Sequence, residues 1–190
     1  MLIKENVLKK KLIKDLNGFN FEELSNIHKI NLRGESTNKD FVTNIGRILN
    51  TLLPVEPNTY NQNNELRIIW LGPNEWLIEI YETSNYEKIL SDLNNFLNPE
   101  NTAITDVTEN RTVLKLSGIP LFKLLSKFMI IDLEKTLKKE YSVAQTIFIK
   151  VPVLIIKNYK DKQSVYLHTN RSHAQYIIDL LIDGSKNINF

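Results

Sequence analysis

Two short runs at 67–71 and 75–81, rich in Ile, Leu, Trp and Tyr, are separated by Gly72-Pro73-Asn74. Apolar runs on either side of such a turn predict an antiparallel hairpin. Trp76, Ile78 and Ile80 alternate with Leu77, Glu79 and Tyr81, a period of two that a helix cannot use. The surroundings then follow. Residues 29–33 read as a strand ending at Gly34. Residues 39–53 place Phe41, Ile45, Ile48, Leu49, Leu52 and Leu53 on one helical face, which Pro54 ends. The polar stretch 57–64 reads as a loop. Ser84-Asn85-Tyr86-Glu87 fits a capping box that opens a helix at 85–97, with Tyr86, Ile89, Leu90, Leu93, Phe96 and Leu97 inward. A strand at 102–108 completes β-α-β-β-α-β, the ferredoxin-like order.

The second half repeats the alternation. Residues 112–117 form a strand, and Ser117 is placed to cap a short helix bearing Leu121, Leu124 and Leu125. The run 144–156 is β-rich but contains Pro152, which requires an edge position, a bulge or a break into two strands. Another strand covers 165–168. Asn170 is then expected to cap a last helix whose inner face is Tyr176, Ile177, Leu180 and Leu181. The fold class is α+β, with two sheet-bearing halves at about 27–109 and 110–190 that form one domain. Residues 1–26 precede it as a basic arm and linker. The arm is expected to be helical over 1–16, stopping at Asn17-Gly18, with Glu22 and Glu23 in the linker.

Charge sharpens the role of that arm. The chain carries a net +2, and residues 1–16 alone contribute +3, from Lys4, Lys9, Lys10, Lys11 and Lys14 against Glu5 and Asp15. The body therefore lacks the basic balance of a nucleic-acid-binding domain. No apolar run reaches the roughly 18 residues of a membrane span. Lysines interrupt the amino terminus where a secretory signal would need an apolar core. The expectation is a soluble, cytoplasmic protein that binds neither membrane nor nucleic acid. Lys9, Lys10, Lys11 and Leu12 of the arm are candidate contacts with a partner protein. Trp70 and Trp76 straddle the hairpin turn and read either as core or as partner anchors.

Chemistry is sparse. There are no cysteines, which removes disulfides, thiolate metal sites and cysteine nucleophiles. Of the histidines 28, 168 and 173, the last two are five apart, not at the helical spacing of paired metal ligands, so no metal is expected and these histidines read as surface or partner-facing. No Gly-x-Ser-x-Gly occurs, and six dispersed glycines cannot build a nucleotide cradle. The 23 asparagines accompany 23 isoleucines and read as compositional bias, not as polar networks. Asp106, Glu109, Arg111 and Arg171 remain as the constellation to weigh. They can be a carboxylate–guanidinium grip on a ligand, or ion pairs that stitch the halves together.

Several blocks together carry a resemblance: Ile30-Asn31-Leu32-Arg33-Gly34, then WLGPNEWLI from Trp70, Thr105-Asp106-Val107-Thr108, and RTVLKLSG from Arg111. Ala144-Gln145-Thr146, Lys150-Val151-Pro152-Val153-Leu154 and Arg171-Ser172 follow in order. Over about residues 28–183 the chain resembles the gamma subunits of heterotetrameric sarcosine oxidases, with His173 where that family usually has Phe. The resemblance implies the folate-binding, aminomethyltransferase-like fold and a non-catalytic gamma subunit. The complex it implies oxidatively demethylates sarcosine to glycine, releasing hydrogen peroxide with formaldehyde or methylene-tetrahydrofolate. FAD, FMN, NAD, zinc and the tetrahydrofolate site are implied in the alpha, beta and delta subunits, with no cofactor or catalytic residue here. The other reading is a free-standing folate-binding or one-carbon-transfer protein, in which Asp106, Arg111 and Arg171 grip the ligand.

Overall fold

The computed structural model describes residues 6–10, 12–158, 160–161, 163–186 and 188. The chain divides into two compact units. One is an inserted unit, Asn26–Thr108; the other is a split unit made of the residues up to Ser25 and those from Glu109 onward.

The split unit opens with a correction. Where a helical arm is expected, the chain forms a hairpin of β1 (Leu12–Leu16) and β2 (Phe19–Leu24). Asn17 and Gly18, read as a helix stop, are its turn, with φ of 51° and 78°. The physical reason lies in β2. Phe19, Phe21 and Glu23 point inward and alternate with less buried neighbours, so this segment has a period of two. It also pairs along its whole length with the strand at 111–118, from Phe19↔Gly118 to Leu24↔Val113. A short isolated helix is marginal in water, and a full ladder outweighs its weak amphipathicity. Glu23 is not linker but a buried acceptor. Its carboxylate takes the N–H groups of Val7 at 3.0 Å and Leu8 at 2.9 Å, and Leu8 enters the core. The remaining helix positions, 1–5 and Lys11, lie outside the described residues.

The inserted unit runs β3 (His28–Arg33), α1 (Lys39–Leu49), β4 (Tyr60–Gln62), β5 (Leu66–Gly72), β6 (Glu75–Ile80), α2 (Tyr86–Phe96) and β7 (Ala103–Asp106). Its antiparallel sheet has the order β4-β5-β6-β3-β7. Without the short edge strand β4, which forms inside the predicted loop, this is the predicted β-α-β-β-α-β topology. Ile30, Leu32, Ile68, Trp76 and Ile78 of the sheet meet Phe41, Ile45 and Leu49 of α1 and Leu93 of α2 in one core. Asn38 caps α1 by accepting the N–H groups of Asp40 and Phe41. Asn50, left-handed at φ 46°, ends it before Pro54 is reached, which leaves Leu52 exposed. The capping box at Ser84 does not form. Glu82 instead accepts from the N–H and hydroxyl of Ser84 and starts a short 3-10 turn before α2. Phe96, counted inward, lies exposed with the Arg47 guanidinium 4.7 Å from its ring centre.

The split unit continues with β8 (Arg111–Gly118), α3 (Leu121–Leu125), α4 (Leu133–Thr136), β9 (Val143–Phe148), β10 (Val151–Lys157), β11 (Ser164–Asn170) and α5 (Ala174–Ser185). The sheet order is β1-β2-β8-β11-β10-β9. The β-rich run 144–156 breaks into β9 and β10. Pro152 lies ahead of the β10–β11 ladder, which starts at Leu154↔His168, so its missing N–H interrupts nothing there. Ser117 stays in β8 and does not cap α3. Asn170 sits ahead of a 3-10 turn with no side-chain cap bond. On α5 the buried positions are Ala174, Ile177, Ile178, Leu181 and Ser185, while Tyr176 is exposed.

Candidate functional site

The constellation at the junction does not form one cluster within either unit. Asp106 ends β7 in the inserted unit. Thr108, through its hydroxyl and its N–H at 2.8 Å, stabilises the Asp106 carboxylate. Burial opposes ionisation most strongly, yet these bonds, with Tyr86 and His28 nearby, hold the carboxyl below its usual value. The Tyr86 hydroxyl is pushed up by burial and by the adjacent carboxylate. His28 stacks on the Tyr86 ring with centres 4.1 Å apart. Thr108 also ties β7 to β3, since its hydroxyl accepts the Lys29 N–H at 2.9 Å.

In the split unit, Arg171 pairs with Glu109, and its N–H donates to the Asn110 carbonyl at 2.9 Å. Arg111 opens β8 opposite Asn170. Arg171 and Glu109 are thus brought together within the split unit. The pair anchors the start of the last helical segment.

His168 corrects the expectation of outward-facing histidines, because it is fully buried on β11. Among the described residues, no group of three or more His, Asp or Glu side chains could hold a metal ion. None of their helices is long and apolar enough to cross a membrane.

The expected partner contacts divide. Trp76 is fully buried, donates its indole N–H to the Pro54 carbonyl at 2.8 Å, and is withdrawn as an anchor. Trp70 is half-buried against the same core. Lys9, Lys10 and Ile13 line a groove of about 350 Å³ whose floor includes Leu8, Ile178 and Ile182. Leu12 is exposed beside it in sequence, and Lys11 lies outside the described residues.

Sequence reasoning missed a buried charged row. Lys29, Glu79 and Arg67 stand directly opposite one another on β3, β6 and β5. Arg67 and Glu79 form an ion pair at 3.2 Å with side chains 6% and 1% exposed. Tyr81 donates its hydroxyl to Glu79 at 3.0 Å, and the rings of Tyr60 and Tyr81 flank the guanidinium. The available signal was a charge near one end of each of three apolar strands, Lys29, Arg67 and Glu79, with signs that match once the strands are paired; Arg33 and Glu75 stand at the other ends of β3 and β6.

The comparisons with known proteins fit this fold. No curated protein matches the sequence. A heterotetrameric sarcosine oxidase from Corynebacterium sp. U-96, solved with pyrrole 2-carboxylate, contains a chain that superposes with a TM-score of 0.80 at 21% identity. The match covers 93% of this chain and 88% of that one. The glycine cleavage system aminomethyltransferase T from Bartonella henselae superposes with a TM-score of 0.62 at 13% identity, over 87% of this chain and 45% of that one. These likenesses establish the folate-binding-like architecture. The model of the sarcosine oxidase gamma subunit family matches residues 33–187, so this chain belongs to that family.

Proposed function

We propose that this protein works as a non-catalytic subunit of a cytoplasmic, four-subunit flavoenzyme that oxidises sarcosine to glycine. The observation that carries the reading is the family match, which spans both units of the fold. The polar groups agree with it. Asp106, Glu109, Arg171, Arg67 and Glu79 are engaged in holding strands and helix starts together. In this reading alpha, beta and delta subunits carry FAD, FMN, NAD, zinc and the tetrahydrofolate site. This chain supplies surface for assembly. Its contacts in this reading are the exposed Lys9, Lys10 and Leu12 of the first strand region, and the half-buried Trp70.

Affinity purification of the tagged chain, co-expressed with the three other genes of its complex, tests the proposal. Recovery with flavin absorbance and three further chains is expected. Recovery of the chain alone, with flavin and sarcosine oxidation left in the unbound fraction, would overturn it. Titration of the isolated chain with tetrahydrofolate addresses the one-carbon-binding alternative. Saturable submillimolar binding that is lost in Arg111→Ala would favour that alternative.

A further inference from the structure

The two edges of the six-stranded sheet are built differently. At one edge β1 is irregular: its register with β2 shifts between Ile13 and Leu16, and Asp15 has a φ of 52°. Such kinks, like the charge of Lys14, discourage another strand from adding there. At the other edge β9 pairs with β10 in unbroken register, from Val143↔Ile156 to Phe148↔Val151, and has no charged residue and no proline. No described strand lies beyond it.

This edge is firmly mounted. Ala144 and Phe148 point into the core, Phe148 stacks on Phe128 with centres 4.9 Å apart, and the Ile149 N–H donates to the Phe128 carbonyl at 2.9 Å. Facing outward, Ile147 is 56% exposed and stands opposite exposed Pro152. Ile149 is 44% exposed, and Ile130, two residues beyond Phe128, is fully exposed. Four lysines, 138, 139, 150 and 157, against Glu140 give residues 138–157 a net charge of +3. They lie at both ends of β9: the Lys157 ammonium donates to the Lys138 carbonyl at 3.1 Å, and Lys150 follows the other end.

We infer that β9 is a docking edge for an extended segment of a partner subunit, one with apolar side chains for Ile147 and Ile149 and carboxylates for the flanking lysines. The inference rests on the reading of this chain as a subunit. Edge addition gives affinity through main-chain bonds and specificity through alternate side chains. The charge pattern selects the partner over a second copy. A two-fold antiparallel pairing of two β9 strands would set Lys138, Lys139 and Lys157 of one copy against Lys150 of the other.

The test compares Ile147→Glu and Ile147→Lys in the four-subunit complex, with amide exchange followed across 143–148 in the free and assembled chain. Ile147 is exposed, so both variants are expected to unfold like the wild type when isolated. On assembly, slowed exchange at alternate β9 amides is expected, with Ile147→Glu weakening association about tenfold or more and Ile147→Lys much less. Unchanged β9 exchange and equal assembly of all three chains would overturn the inference and leave the subunit reading intact. A free chain that is dimeric, and becomes monomeric as Ile147→Glu, would overturn it in favour of self-pairing. Failure of the wild type to join the other subunits would instead overturn the subunit reading, and this inference with it.

Discussion

Replacing Glu23 with alanine should release the amino-terminal segment from the split unit while leaving the rest of the fold in place. The carboxylate is 5% exposed and accepts two backbone N–H groups at 3.0 and 2.9 Å. Hydrogen bonds to a charged acceptor contribute about 1.5–3 kcal/mol each. Once freed, the Val7 and Leu8 amides can turn to water, which recovers part of that loss. Leu8 leaves the core whenever the segment opens, in wild type and variant alike, so its burial does not enter the difference. The net destabilisation of the segment is therefore about 2–4 kcal/mol. Global unfolding is a poor readout, because both tryptophans lie in the inserted unit. Native-state trypsin cleavage after Lys14, inside β1, reports the local opening directly. Where opening is fast relative to cleavage, the rate follows the open population. At about 1.4 kcal/mol per tenfold, Glu23→Ala should be cut about 30- to 1000-fold faster than wild type. Glu23→Gln, which keeps acceptor capacity but loses the charge, should fall between. A cleavage rate within threefold of wild type in Glu23→Ala would refute the view that this carboxylate ties the segment down.

Three further outcomes follow from the geometry. Gly118 has a φ of 135°, and an added Cβ would collide with the Gly18 carbonyl and come within 2.9 Å of the Phe19 Cα; Gly118→Ala should cost about 2–4 kcal/mol in urea unfolding followed by circular dichroism, and a loss under 1 kcal/mol would contradict that geometry. Glu79→Leu leaves the Arg67 guanidinium buried without this carboxylate and should cost about 3–5 kcal/mol by tryptophan fluorescence, much of it recovered in Arg67→Met/Glu79→Leu; equal stability of single and double variants would show that the pair is not coupled. The Asp106 carboxyl is depressed in the folded chain, so its contribution is present above the unfolded value near 3.8 and is lost as pH falls through the lower folded value. Asp106→Asn should therefore be less stable than wild type at neutral pH, with the difference shrinking below about pH 4; a difference constant from pH 7 to 3 would contradict the assignment.

The inserted unit was readable because its signals are local. The Gly-Pro-Asn turn, the alternation around Trp76 and the helical stripe Phe41-Ile45-Leu49 each sit within one hairpin or one helix. The split unit hid what depends on pairing across the chain. β2 becomes a strand because β8, some 90 residues later, offers a complete ladder. Glu23 looks like a solvated linker charge until residues 7 and 8 fold back onto it. The asparagines, read as compositional, also serve turns and a helix end: Asn17, Asn26, Asn50 and Asn58 take positive φ, and Asn63 caps its own turn through the amides of Glu65 and Leu66. The Asp106–Arg171 constellation was legible as residues but not as pairings. Proximity along the chain near 106–111 says nothing about which carboxylate meets which guanidinium, and it is Glu109 that meets Arg171. Membership of the family was legible in the ordered blocks from Trp70 to Arg171, because a string of short motifs in sequence order is far more specific than any one of them.

The role of the chain as an assembly subunit is tested most directly by building the enzyme from the other three subunits with and without it. Sarcosine-dependent peroxide formation, flavin content and complex mass would be read in parallel. The expected result is a stable, active, flavin-loaded complex only when this chain is present, with one copy in each. An equally stable and equally active enzyme lacking the chain would contradict that role.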